Sequence, residues 1–172
     1  MHRKDFEAEM AKLEKELEEF DRWASTNPAS GDWAYRRLAG STVHSVYTGM
    51  ETILEAVLKR TDPPVEQDPD YHARLIKTAA TTSETRDALI SEALRELLDD
   101  LRGFRHGGRK RYGSEIDPDR ARLVLHNAKK AAPVFRKEMA LAITALEEVL
   151  AIAEAERLEA RKTESHAKKR SG

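Results

Sequence analysis

The sequence predicts an all-α protein, an antiparallel bundle of four long helices and one short helix. Apolar residues recur at steps of three and four over long segments with charged residues between them, and no segment alternates apolar and polar residues as a strand does. The 8 glycines and 6 prolines are few, and they cluster where the periodic segments end. No segment repeats with a period of about 20–50 residues, so the pattern favours a bundle over a solenoid.

The first two helices are placed by their apolar stripes and by the breakers between them. The first helix is predicted to cover about 20 residues. Its apolar positions are Phe6, Met10, Leu13, Leu17 and Phe20. The segment 27–32, Asn-Pro-Ala-Ser-Gly-Asp, ends it. A second helix is predicted over 33–61, and its wide apolar face indicates that neighbours cover it on more than one side.

The middle of the chain contains a loop, a short helix and a fourth helix. Prolines in the segment 63–69 predict the loop, and the short helix is predicted at about 70–80. Thr81-Thr82-Ser83 followed by Glu84 predicts the N-terminal cap of the fourth helix. Gly107-Gly108 predicts the end of that helix.

The last helix is predicted to begin at Asp117 and Pro118, an acidic cap followed by a proline in the first turn. The residues near the C-terminus are rich in Lys, Arg and Ser without periodicity. We therefore expect one helical domain over residues 1–158 and a flexible basic tail over residues 159–172.

The composition excludes several kinds of function. The 172 residues include 30 Lys or Arg and 31 Asp or Glu, so the chain as a whole is not a polybasic nucleic-acid coat, and any such role must be local. The chain has no cysteines, which excludes disulfides, thiolate metal sites and cysteine nucleophiles. No apolar run approaches the roughly 20 residues of a membrane span, and no hydrophobic signal segment follows Met1. We expect a cytoplasmic protein without a membrane partner.

Positive charge is concentrated in the segment 102–111, where the fourth helix runs into two glycines. Its sequence is Arg-Gly-Phe-Arg-His-Gly-Gly-Arg-Lys-Arg, and Tyr112 follows. One interpretation is a solvated basic helix end, because each cation near a helix C-terminus stabilises the helix dipole by about 0.3–1 kcal/mol. However, so many cations in one short segment repel each other unless an anion relieves them. The other interpretation is therefore a site for a phosphate or an RNA backbone.

The same segment resembles the signature region of HEPN-domain proteins, in particular the HepT-like toxins of bacterial and archaeal toxin–antitoxin pairs. The motif of that family is Arg, a polar residue, a short spacer, His, any residue and Tyr. Arg105 matches its arginine, His106 its polar residue and Tyr112 its tyrosine. Lys110 stands at the position of the family's histidine.

The resemblance extends upstream of the motif. Tyr47-Thr48-Gly49-Met50-Glu51 resembles the "Tyr-x-Gly-x-Glu" second helix of the family, and Tyr71-His72-x-x-Leu75 resembles the Trp-His segment that often precedes its third helix. In order and spacing the likeness covers roughly residues 5–150. It leaves the C-terminal tail outside.

The resemblance implies a HEPN-like bundle that acts on RNA as a metal-independent endonuclease, the toxin of a toxin–antitoxin pair. In this family the arginine, here Arg105, steadies the scissile phosphate and the histidine helps to activate the ribose 2′-hydroxyl. The residues expected to handle protons here are Lys110 and His106. The neighbouring cations expected to steer the RNA backbone are Arg102, Arg109 and Arg111.

The resemblance also implies two protein partners. HEPN proteins pair two such turns across a two-fold axis, so we expect a homodimer with one composite cleft. Tyr112 matches the tyrosine that accepts adenylyl groups from a partner nucleotidyltransferase, the antitoxin. An adenylyl group there would neutralise the field of Arg105 and Lys110. The sequence equally allows a structural role for Tyr112, closing the end of the bundle.

Lys110 is the main departure from the family. A lysine that is half neutral at pH 7 needs its pKa lowered from about 10.4 to about 7, whereas histidine starts near 6.5. We therefore expect Lys110 to stay charged and to hold phosphate, which predicts a weak or inactive ribonuclease, since general-base help is worth about 10²–10⁴ in rate. His106 is an alternative base. The rival interpretation is a non-catalytic HEPN-like module that binds RNA or a protein, and a third is a bundle without nucleic acid.

Neither a metal nor another cofactor is expected. His44, His72 and His126 are widely separated, and no pair has the i, i+4 spacing of a helical metal site. Glu51 lies beside the apolar stripe of the second helix. Two interpretations of Glu51 stay open: an ion pair that orients Arg102 or Arg105, or an exposed helical glutamate.

Overall fold

The computed structural model describes residues 1–27, 33–65, 68–108 and 116–170, and the side chains of 106–108 and 162–170 lie outside that description. Within these ranges the chain forms five helices and no strand. The helices are α1 (Arg3–Thr26), α2 (Trp33–Thr61), α3 (Tyr71–Ala79), α4 (Glu92–Gly108) and α5 (Pro118–Arg170). The predicted all-α class, with four long helices and one short helix, is confirmed.

Helix α2 lies at the centre of the bundle, because it contacts each of the other four helices. Its apolar residues, among them Val43, Val46 and Ile53, are fully buried, as the wide apolar face predicts. On its α1 side the two helices approach closely at Gly49, where a Cβ atom would lie 3.2 Å from Leu13 Cδ2. Helix α2 therefore links the other four helices into one core.

Helix α4 begins later than the sequence predicts. Thr81–Ser83 does not cap a helix at Glu84, because α4 starts at Glu92 and residues 80–91 form turns and bends. The cap is Ser91, whose Oγ accepts a hydrogen bond from the Leu94 backbone N–H at 3.2 Å. The described part of α4 reaches Gly108, and the predicted end of the helix there stays a prediction.

Helix α5 begins as predicted, because Asp117 Oδ1 accepts the Arg120 backbone N–H at 2.8 Å and Pro118 is the first helical residue. Its buried face ends near Ile143, and beyond that point the large apolar side chains are exposed, including Val149 (62%) and Ile152 (61%). The helix continues to Arg170, past the predicted boundary between residues 158 and 159. That residues 159–172 move separately from the bundle stays a prediction.

Candidate functional site

The parts of the chain on either side of residues 109–115 contact the same part of α2. Phe104, near the end of α4, and Ile116, just before α5, both lie against Gly40: a Cβ atom there would be 3.4 Å from Ile116 Cδ1 and 3.9 Å from Phe104 Cε1. Arg36, one turn earlier on α2, donates a hydrogen bond from Nη1 to the Ile116 carbonyl oxygen at 3.3 Å. The chain therefore leaves α4 and enters α5 beside one face of α2.

Further along that face of α2, Glu51 holds Arg105. Glu51 is 8% exposed and lies among apolar residues of the core, where an unpaired carboxylate would be costly. Arg105 Nη1 donates to Glu51 Oε2 at 2.5 Å, and the arginine side chain is 17% exposed. Of the two interpretations of Glu51 left open by the sequence, the ion pair with Arg105 is confirmed, and the exposed glutamate is wrong.

The ring of Tyr47 lies one turn before Glu51 and supports the guanidinium of Arg105. The Arg105 Cζ atom lies 5.5 Å from the centre of the ring, within the range of a cation–π contact. Burial and the negative charge of Glu51 raise the pKa of the Tyr47 phenol well above its usual range, and Arg102 and Arg105 oppose this only in part. Tyr47 therefore stays protonated and acts as a flat, uncharged support for the cation.

His72 on α3 binds the other oxygen of the same carboxylate. Its Nδ1 atom lies 2.6 Å from Glu51 Oε1, and its side chain is 43% exposed. Because an ionised carboxylate only accepts hydrogen bonds, His72 Nδ1 is the donor. The ring also makes an edge contact with Tyr71, with centroids 5.4 Å apart. Each oxygen of Glu51 thus has a different partner, and α2, α3 and α4 are joined at one point.

Within the described part of the chain, the guanidinium of Arg105 forms fewer hydrogen bonds than it has N–H donors. An arginine has five N–H donors, and within the described part of the chain Glu51 is the one acceptor that Arg105 reaches. Its Nε atom is buried without a hydrogen-bond partner in that part of the chain. Because the Nε atom is buried, an anion would have to be bound through the terminal Nη groups of this side chain, which is 17% exposed as a whole.

Arg102 lies one turn earlier on α4 and is more exposed. Its side chain is 36% exposed, and its Nε donates to Asp99 Oδ1 of the same helix at 3.0 Å. It borders a cleft of about 410 Å³ between α3 and α4, whose charged lining is mixed: Lys77, Arg95, Glu92 and Asp99. Arg102 and Arg105 are three residues apart on α4, so helical spacing places these two predicted residues on neighbouring turns of the helix.

The other predicted site residues cannot be placed. Arg109, Lys110, Arg111 and Tyr112 fall outside the described residues. The backbone of His106 belongs to the last turn of α4, and its side chain is also outside. Their assigned roles stay predictions.

Two residues of the site were missed by the sequence reasoning. Tyr47 and His72 lie in segments that resemble the family, but the sequence predicts no role for Tyr47 and only argues against His72 as a metal ligand. The available signal was the pair of motifs that contain them, Tyr47–Glu51 and Tyr71–Leu75, whose shared partner only becomes visible when α3 packs on α2.

The described residues form neither a candidate metal site nor a candidate membrane span. They contain no group of three or more His, Asp or Glu side chains that could hold a metal ion. In the same part of the chain, no helix is both long enough and apolar enough to cross a bilayer.

Comparison with known proteins gives one match. The sequence profile of a family described as "HepT-like protein" matches residues 38–146, more than half of the chain. The matched range runs from α2 into α5 and contains Tyr47, Glu51, His72 and Arg105. No curated protein and no solved structure matches the chain.

Proposed function

The chain belongs to the HepT-like protein family of HEPN-domain proteins, and from that premise we propose that it is the toxin of a toxin–antitoxin pair, a metal-independent RNA endonuclease. The single observation that carries the proposal is the state of Arg105. The guanidinium is fixed by a buried carboxylate and supported by an aromatic ring, yet most of its donors have no acceptor in the described part of the chain. This is what recognition of a phosphate requires.

In the proposed reaction, the 2′-hydroxyl of a ribose attacks the adjacent phosphorus. A new P–O2′ bond forms, the P–O5′ bond breaks, and the 5′-hydroxyl of the next nucleotide leaves with a proton. Arg105 binds the phosphate and stabilises the charge that develops on its oxygens. Lys110 and His106 are the proposed proton-handling groups, and Arg102, Arg109 and Arg111 attract the RNA backbone.

We propose that this activity is weak or lost in the chain as it stands. Lys110 replaces the family's histidine, and a lysine that keeps its proton cannot accept one from the 2′-hydroxyl. The second candidate, a non-catalytic module that binds RNA or a protein, is favoured by the same residue. Both candidates require Arg105 to face a phosphate or another anion.

The proposed partners follow from the family. A nucleotidyltransferase antitoxin would adenylylate Tyr112, and two copies of the chain would form a homodimer with a shared cleft. In this proposal residues 1–158 form the bundle and residues 159–172 a basic tail.

The test is cleavage of transfer RNA in EDTA by four proteins: the chain as given, Lys110→His, Lys110→His combined with Arg105→Ala, and Lys130→His. Lys130 is an exposed residue of α5, so Lys130→His controls for adding a histidine elsewhere. We expect Lys110→His to raise the cleavage rate by about 10²-fold or more. Addition of Arg105→Ala should remove about 10²-fold or more of that rate.

The outcomes separate the candidates. Cleavage that appears with Lys110→His and depends on Arg105 supports a ribonuclease scaffold weakened at position 110. Binding of RNA without cleavage by any variant supports the non-catalytic module. Absence of RNA binding at low salt contradicts the ribonuclease and the RNA-binding form of the module, and leaves the protein-binding form.

A further inference from the structure

His72 has no role in the proposed reaction, yet it occupies a position that controls Arg105. It lies on α3, which precedes α4, and it reaches the site only through Glu51. Glu51 Oε1 accepts from His72 at 2.6 Å, and Glu51 Oε2 accepts from Arg105 at 2.5 Å. The carboxylate therefore offers Arg105 one oxygen and not two.

A carboxylate with both oxygens free commonly takes two parallel hydrogen bonds from an arginine, through a fork of two N–H groups. The protein itself contains such a fork, because Arg86 donates from Nε to Asp62 Oδ2 at 2.6 Å and from Nη2 to Asp62 Oδ1 at 2.8 Å. If Arg105 paired with Glu51 in that way, two of its donors would be turned toward the core. Those donors would then be lost to a phosphate.

We infer that His72 is a positioning residue, which holds one oxygen of Glu51 so that Arg105 keeps a single bond to the other and presents its remaining donors to a phosphate. The inference rests on the proposed function, because it assumes that Arg105 binds phosphate. His72 itself does not touch the RNA in this scheme. It acts through Glu51 alone.

The geometry makes specific demands on the residue at position 72. It must donate from the position of Nδ1, because that atom makes the contact. An asparagine places its amide nitrogen close to that position, whereas a glutamine places it near the position of Nε2. His72→Asn should therefore keep the positioning, and His72→Gln and His72→Ala should lose it. Since the His72 side chain is 43% exposed, we expect all three variants to fold.

The first measurement uses the free full-length protein and needs no RNA. In protein labelled with ¹⁵N-arginine, the Arg105 Nε–H resonance is assigned by its loss in Arg105→Ala. In His72→Ala and His72→Gln we expect this resonance to shift, because the second oxygen of Glu51 now accepts a bond from the guanidinium. His72→Asn should restore the original signal, and His126→Ala, which changes an exposed histidine of α5, should leave it unchanged.

The second measurement is titration with inorganic phosphate, followed on the same resonance or by calorimetry. We expect His72→Ala and His72→Gln to weaken phosphate binding by about tenfold, the loss of one charge-assisted hydrogen bond, and His72→Asn to stay within about threefold of the original. Thermal melting of each variant identifies any protein that has not folded.

Each outcome has a clear meaning. Altered Arg105 signals with weakened phosphate binding, both restored by asparagine and not by glutamine, support the inference. An unchanged Arg105 signal in His72→Ala overturns it, and so does a changed signal with unchanged phosphate affinity. In these cases the original chain still binds phosphate, so the proposed function survives. If the original chain binds neither phosphate nor RNA, the proposed function fails and the inference fails with it.

Discussion

Two arginine–carboxylate pairs tie α2 to the segments that follow it, and they use their arginines differently. All five N–H donors of Arg86 form hydrogen bonds within the protein. Two bond the Asp62 carboxylate, and three bond the backbone carbonyl oxygens of Thr78, Thr81 and Asp87. Within the described residues, Arg105 donates one hydrogen bond, to Glu51. Both side chains are largely buried, with exposures of 8% and 17%.

In the proposed function, this difference separates an arginine that holds the fold from one that binds an anion. A fully satisfied guanidinium has nothing left for a ligand, so Arg86 fixes the turns between α3 and α4 to the end of α2. An under-satisfied one keeps donors in a low-dielectric site, where a hydrogen bond to an anion is strong. Burial of an ion pair is therefore a poor guide to function, and the number of unused donors is a better one.

The largest effect is expected from Arg86→Ala. The substitution leaves Asp62, whose side chain is 7% exposed, buried without its cation, so we expect the free energy of unfolding to fall by about 3–5 kcal/mol. Urea unfolding followed by circular dichroism measures it. Arg22→Ala, which removes an exposed pair on α1, should change stability by no more than about 0.5 kcal/mol. A loss for Arg86→Ala as small as that of Arg22→Ala would contradict the structural role.

A smaller loss of stability is expected from Arg105→Ala. Glu51 keeps its bond to His72, and the orphaned Arg105 Nε disappears with the side chain, so we expect a decrease of about 1–3 kcal/mol. The same unfolding series measures it. If Arg105→Ala destabilises the protein as much as Arg86→Ala, the contrast between the two arginines is wrong and Arg105 is mainly structural.

The next prediction concerns the loss of folding stability at low pH. Burial alone would raise the pKa of Asp62, but hydrogen bonds from Arg86 and Thr61 and the charge of Arg86 outweigh it and lower the pKa below 3.8. Asp62 therefore contributes stability that is fully present above the pKa of the unfolded chain and is lost as the pH falls from about 4 toward the lower, folded pKa.

The test of that linkage is the pH dependence of unfolding in Asp62→Asn. The original protein should lose stability below about pH 4 with an extra slope of at most about 1.4 kcal/mol per pH unit, the value for one proton, and the variant should lack this extra slope. Asp119→Asn, which changes a carboxylate with 85% exposure, is the matched control and should keep the original acid slope. Equal acid slopes in the original protein and Asp62→Asn would show that the pair contributes no proton linkage.

The smallest effect is stabilisation by phosphate. A weak ligand present at about five times its dissociation constant adds about 1 kcal/mol of stability, which raises the melting temperature by about 2–4 °C in a chain of this size. We expect this rise in the original protein and in Arg86→Lys, but not in Arg105→Ala. Sodium chloride at the same ionic strength is the control for screening, and an equal rise in all three proteins would mean that phosphate acts without Arg105.

Local signals predicted most of the fold. The end of α2, predicted at about residue 61 and found at Thr61, follows from the prolines that come next in the sequence. The start of α5 follows in the same way, because Asp117 and Pro118 act within one turn. Such features depend on contacts between neighbours in the chain, which the sequence displays directly.

The late start of α4 depends instead on a contact between residues that are far apart in the sequence. Thr81–Ser83 carries the residues of a helix cap, but the segment that follows turns back so that Arg86 meets Asp62, 24 positions earlier. Ser83 there donates its backbone N–H to the Arg86 carbonyl oxygen at 2.9 Å. A long-range ion pair thus overrides a local preference worth about 1 kcal/mol, and only the packed structure reveals it.

In the candidate site, too, some residues are predictable from local sequence signals and others depend on how the helices pack. Glu51 and Arg105 were within reach of sequence reasoning, since resemblance supplied the arginine and helical spacing put Glu51 next to the apolar stripe. The bond from His72 depends on how α3 lies across α2, which the spacing of residues within each helix does not determine. The number of unused donors on Arg105 is likewise a property of the assembled protein.

Gly40 determines, through packing alone, how closely Phe104 and Ile116 approach α2. Its missing side chain is what lets Phe104 and Ile116 come together on α2, and a single added methyl group just fits, at 3.4 Å from Ile116 Cδ1. Anything bulkier would push Phe104 and Ile116 away from α2. A graded series of alanine, serine and valine at this one position would therefore vary the packing of Phe104 and Ile116 on α2 without changing any charged residue of the sequence.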